Sequence, residues 1–137
     1  VPSTTCFDAR GSWTGTLSTT SSVSSRTVNL VVNADASCIV YTANLHYTLT
    51  TGANGETWPS DVEFSLKAPG EIDFTWVGNG GGAEVGTETS FIEDLWDLSG
   101  LIAKGTWVLK FEDLYTDDGS AGLVTLKMAR LDIFCEW

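Results

Sequence analysis

Over most of the chain, apolar and polar residues alternate with a period of two, the pattern of strands with one buried face. From Ile39 to Leu49 the odd positions carry Ile39, Tyr41, Ala43, Leu45, Tyr47 and Leu49, with Val40, Thr42, Asn44, His46 and Thr48 between them. This predicts a long strand with its odd positions in the core and His46 on its polar face. Val28, Leu30 and Val32 alternate with Thr27, Asn29 and Val31, and Val62, Phe64 and Leu66 with Glu63, Ser65 and Lys67. Ile72, Phe74 and Trp76 follow a Pro69–Gly70 turn, which predicts a hairpin. Trp107, Leu109 and Phe111 alternate with Val108, Lys110 and Glu112, and shorter strands are predicted over 13–17 and 90–95.

The last strand breaks its own phase. Its apolar residues sit at Val124, Leu126 and Met128, then at Leu131 and Ile133. A straight strand cannot turn both sets inward, so the sequence predicts a bulge near Ala129–Arg130 or a strand that changes sheets. About eight short strands with Gly, Asn and Asp between them predict a single all-β domain over residues 1–137, a two-sheet jelly-roll β-sandwich. The polar run Ser18–Ser25 reads as a surface loop or solvated edge strand, and the glycine-dense Gly78–Thr89 as a long loop.

Composition agrees with an ordered core: 42% of the 137 residues are hydrophobic, including six Trp and six Phe. Charge narrows the partners. With 18 acidic against 7 basic side chains and a net charge of −11, the chain lacks the cationic surface that nucleic acid or anionic membranes require. An acidic surface suits divalent cations or cationic partners, or simply keeps the protein in solution. No stretch approaches a membrane span, so no membrane insertion is expected. The opening VPSTTC has no leader pattern and starts with Val, as expected of a secreted, extracellular chain whose signal peptide has gone. No Asn stands in an Asn-x-Ser/Thr acceptor.

Three cysteines, Cys6, Cys38 and Cys135, have no metal-ligand spacing. Three pairings are open, as is a fully reduced state. Because sandwiches often bring terminal strands together, a Cys6–Cys135 bridge with Cys38 free and buried is the expected arrangement.

Two segments carry a more specific pattern: Trp58–Gly70 (WPSDVEFSLKAPG) and Gly105–Gly122 (GTWVLKFEDLYTDDGSAG). The first, preceded by His46 and Tyr47, offers Trp58, Ser60, Asp61, Val62, Phe64, Leu66, Ala68, Pro69 and Gly70. The second offers Gly105, Thr106, Trp107, Leu109, Glu112, Asp113, Asp118, Gly119 and Gly122, followed by Leu123 and Leu126. In this order they resemble the paired signatures of the P domain, the β-sandwich beside the catalytic domain of subtilisin-like proprotein convertases. The likeness spans roughly residues 40–134. Thr125-Leu126-Lys127 stands where the family carries Ser-Trp, and the first forty residues show no match. The resemblance implies an accessory module with no chemistry of its own, packing beside a protease domain of a parent protein or binding another protein partner. It also implies calcium at loop ends, with Asp61, Asp113 and Asp118 as ligands and Asp117 beside them in the acidic loop.

The residues support that chemistry independently but loosely. Glu112, Asp113, Asp117 and Asp118 gather carboxylates of the kind that calcium takes, without the spacing or helices of an EF-hand. The bland alternative is an Asp-Gly turn with solvated carboxylates, and Glu93, Asp94 and Asp97 form a weaker acidic group. Of the tryptophans, Trp13, Trp76 and Trp107 fall in phase with the core, whereas Trp58, Trp96 and Trp137 fall in loops or at the terminus. Trp58 and Trp96 are therefore the candidates for stacking on sugar rings if the domain is lectin-like. His46 is the one histidine, and no Gly-x-Ser-x-Gly elbow or HExxH accompanies it. A small secreted hydrolase built on a carboxylate pair is the third and weakest reading.

Overall fold

The computed structural model describes residues 2–17, 24–51, 62–79, 88–95, 98–113 and 122–136. Side chains are described for Gly11, Leu95 and residues 25–49, 62–78, 98–112 and 126–135. The strands are β1 (Pro2–Leu17), β2 (Ser24–Val32), β3 (Ile39–Thr51), β4 (Val62–Lys67), β5 (Thr75–Asn79), β6 (Glu88–Asp94), β7 (Gly105–Asp113) and β8 (Gly122–Glu136). They form two four-stranded antiparallel sheets, ordered β1-β8-β3-β6 and β2-β7-β4-β5. Only the β4–β5 hairpin stays within its sheet; every other connection crosses to the opposite one. That connectivity is a jelly roll.

The inner faces follow the alternation. Leu45, Tyr47, Leu49 and Leu131 of one sheet meet Leu30, Phe64, Trp107 and Phe111 of the other, all of them buried. Tyr47 stacks on Phe64 across the two layers with ring centroids 4.2 Å apart, and Phe64 lies 6.2 Å from Phe111. Burying Trp107 also buries an N–H, and its Nε1 donates to the Ala103 carbonyl at 2.9 Å.

Bulges resolve the phase conflicts. Along β8, Gly11 and Trp13 of β1 pair with Ala129 and Leu126, so two residues of β8 oppose Ser12 alone. The same extra residue separates Thr48↔Met128 from Leu49↔Leu126 on the other side of the strand. The bulge therefore lies at Lys127–Met128, just before the predicted position, and it turns both Leu126 and Leu131 inward. A second bulge, between Val40 and Thr42 of β3, was not legible in the sequence. It buries Val40 and leaves Tyr41 exposed, so the odd-position rule holds only from Ala43 onward.

The predicted hairpin after Pro69–Gly70 forms, but the residues expected to face inward from its second strand are corrected. Ile72 lies in the turn and is 91% exposed, and β5 begins only at Thr75. Trp76 pairs with Ser65, an outward position of β4, and is 61% exposed instead of lying in the core. Val77 packs inward instead, and Gly78 faces the buried Phe64 across the ladder. Trp107 is in the core as expected.

The cysteine expectation is also corrected. β1 and β8 do pair, but Cys6 stands beside Phe134, one register position from Cys135. The disulfide joins Cys38 to Cys135, whose Cα atoms are 5.2 Å apart, and both residues are buried. Around it, segment 98–103 closes one end of the sandwich. Val40 donates to Leu101 O at 2.8 Å, Gly100 to Val40 O at 2.8 Å and Ala103 to Cys38 O at 3.1 Å. The nearby β2–β3 turn is held by Asp35. The Ser37 backbone N–H (2.9 Å) and hydroxyl (2.7 Å) both donate to its Oδ1, holding that carboxyl below the usual carboxylate range.

Two glycines are required by close approach. A Cβ at Gly11 would collide with Val28 Cγ1, where β1 crosses β2. Gly105 has φ +134°, and a Cβ there would stand 2.8 Å from Pro69 Cγ. Gly105→Ala is expected to cost about 1–3 kcal/mol by urea denaturation, through backbone strain and displacement of the Pro69 ring. Non-reducing peptide mapping should recover Cys38 linked to Cys135, with Cys6 outside the bond. Opening a closure with a sequence separation of 97 should lower stability by roughly 3–5 kcal/mol on reduction.

Candidate functional site

Strand register gathers four connections at one end of the sandwich. In the first sheet Leu17 pairs with Gly122, Thr51 with Val124 and Thr50 with Glu88. In the second, Asp113 pairs with both Ser24 and Val62, and Glu63 with Asn79. Segments 18–23, 52–61, 80–87 and 114–121 therefore all leave from this end and return to it. They contain Glu56, Asp61, Glu84, Asp117 and Asp118, and no Lys or Arg. The opposite end holds the disulfide, the β2–β3 turn, the β4–β5 turn and segment 98–104.

The four candidate metal ligands and Trp58 belong to segments that border or join strands at the acidic end, whereas Trp96 and the cysteines do not. Asp113 closes β7, and Val62, the residue after Asp61, is its partner across the ladder. Apolar alternation causes this: burying Phe64 and Leu66 beside Phe111 and Leu109 fixes the register that sets Val62 against Asp113. Asp61, Asp117 and Asp118 themselves, and the side chain of Asp113, lie outside the described residues, as does Trp58. Among the described residues no group of three or more His, Cys, Asp or Glu is placed to hold a metal.

Trp96 and Trp137 are likewise outside the described residues, but the neighbours of Trp96 are placed. Leu95 donates to Ala43 O at 2.9 Å and Leu98 is buried near the disulfide end. From Ala43 to Thr51, where the segment carrying Trp58 begins, β3 runs for about 25 Å. Trp58 and Trp96 therefore belong to connections at opposite ends of the sandwich.

Two side-chain clusters occupy the outer sheet faces. On β3 and β8, His46 Nε2 lies 3.1 Å from Asp132 Oδ2, and Arg130 Nε lies 3.1 Å from Asp132 Oδ1. The Arg130 contact is an ion pair at a poor hydrogen-bonding angle. His46 is thus on the polar outer face of β3, as the sequence predicts, but half-buried beside Asp132 and not freely exposed. On the other sheet, Lys67 Nζ of β4 and Lys110 Nζ of β7 stand 5.1 Å and 4.4 Å from the Phe74 ring centroid. Lys110 also pairs with Glu112 at 3.1 Å, and the exposed Trp76 flanks the group. Sequence reasoning missed this cluster because Phe74 and Trp76 alternate like core residues. The available signal was the polar company of Trp76, with Glu71, Asp73 and Thr75 in the same short stretch.

No family model and no curated protein matches the chain. Solved structures do. FlhE aligns with a TM-score of 0.59 and 12% identity over 97% of each chain. The serine protease of Aeromonas sobria aligns with a TM-score of 0.63 and 13% identity over 94% of this chain. The structure of that protease in complex with its chaperone gives the same TM-score and identity over 95% of this chain. In both cases the aligned part is only 26% of the matching chain. At these identities the likeness is one of fold.

Asp132→Asn, which keeps shape but removes the charge shared by His46 and Arg130, is expected to cost about 0.5–1.5 kcal/mol in urea denaturation. The loss should shrink in about 1 M NaCl, since the cluster is partly open to solvent.

Proposed function

We propose that this chain is a non-catalytic, extracellular accessory module of the P-domain kind, stabilised by calcium at its acidic end. The observation that carries the proposal is the meeting of the two sequence segments that resemble that family. Trp58–Gly70 and Gly105–Gly122 supply neighbouring strands β4 and β7, and the Pro69 ring of one lies against Gly105 of the other. Their order along the chain is thereby a contact in space. The register also sets Val62, the residue after Asp61, opposite Asp113, the residue before the acidic loop, which supports a hard cation relieving repulsion among the carboxylates of these two segments.

Other features support the same reading. The Cys38–Cys135 bridge suits an oxidising compartment, and no described helix is long and apolar enough to cross a membrane. The fold recurs as about a quarter of a serine protease chain, as an appended module would. A protein partner, either a parent-protein domain or a separate chain, follows from this reading.

The test is thermal melting with about 5 mM calcium against excess chelator. Calcium should raise the melting temperature by several degrees by linkage, and Asp118→Ala should reduce that rise. Identical melting curves in the two conditions would remove calcium from the account.

A further inference from the structure

The outer face of the β2-β7-β4-β5 sheet is organised in rows across the strands. One row runs Trp76, Ser65, Lys110, Thr27; the next carries Lys67, Val108 and Asn29, with Phe74 preceding β5 beside it. Beyond the first row, Glu63 and Glu112 stand side by side. Trp76 is 61% exposed, so much of its indole is open to a ligand. Lys67 Nζ and Lys110 Nζ stand over the Phe74 ring, which restrains that ring before anything binds.

We propose that this face binds a neutral glycan chain. Sugar rings present C–H faces that stack on indole and phenyl rings, and hydroxyls that both donate and accept. The rows beside Trp76 provide donors (Lys67, Lys110), acceptors (Glu63, Glu112) and groups able to do both (Ser65, Thr27). Charge complementarity selects the occupant. In a chain of net charge −11 the strands of this face set two lysines against two glutamates, with Glu71 and Asp73 in the adjoining turn, so the face has the cations that most of the surface lacks without becoming basic. A polyanion would be repelled by the rest of the molecule, and a cationic partner would favour the carboxylate-rich end. A flat sheet face, unlike a closed pocket, also suits an extended polymer. The aromatic rows lie farther along the strands than the calcium end, which Glu63 and Glu112 border, and the proposal does not rest on the accessory-module reading.

Affinity gel electrophoresis of the whole chain tests this, with hydroxyethylcellulose, glucomannan, xylan and pullulan as neutral probes and alginate as the anionic control. At least one neutral polymer should retard the protein. Trp76→Ala should weaken that binding roughly tenfold or more, with a melting temperature within about 2 °C of the parent because the residue is exposed. Trp76→Tyr should recover part of the binding, which a damaged fold would not do, and Trp58→Ala should bind like the parent. The proposal is overturned by retardation in alginate alone, by no retardation in any neutral polymer, or by retardation that Trp76→Ala leaves unchanged. A concentration-dependent dimer that Trp76→Ala dissociates would assign the face to a second copy and also overturn it.

Discussion

Tyr47 stacked on Phe64 is the join on which the two sheets depend. It couples β3, in the middle of one sheet, to β4 in the middle of the other, and Phe64 passes the contact on to Phe111 of β7. Rings this large leave little freedom in the spacing of the layers, and every neighbouring inner position must fit around them. The bulges follow from that constraint. β8 and β3 are too long to stay in phase with a twisted partner, and each spends one residue to bring its next apolar side chain back to the inner face.

Period two was enough to read the layers, because half-buried antiparallel strands advertise their inner faces. Eight strands, the jelly-roll connectivity and the broken phase of the last strand were legible for that reason. What was not legible required the third dimension. Trp76 and Leu109 look alike as members of an alternating triplet, and only the bulge at Val77 decides which face the indole takes. The disulfide depended on a single step of register between Cys6 and Cys135, which no local pattern encodes. Tyr41 was misjudged because a bulge in the strongest alternating run is invisible when both of its phases are apolar.

The candidate sites divide along the same line. Carboxylates at Asp61 and Asp113–Asp118 were visible as composition, and topology then brought their segments to one end of the sandwich. The aromatic face was hidden, since it combines Phe74 and Trp76 with lysines from two other strands. The charges also part company: the four connections at one end carry only acids, whereas the outer sheet faces hold mixed ion pairs such as Lys110–Glu112 and Arg130–Asp132.

Pro2 pairs with Glu136 at the edge of the first sheet, so the two ends of the chain leave side by side, next to the Cys38–Cys135 bridge. Tension applied through both ends would load that corner first, and it would peel β1 from β8 one ladder rung at a time. The Cys38 link holds β8 to β3 while β1 comes away. That corner lies at the covalently closed end, opposite the end where β1 finishes at Leu17 and β8 begins at Gly122, so the last rungs to part would be the ones farthest from the disulfide.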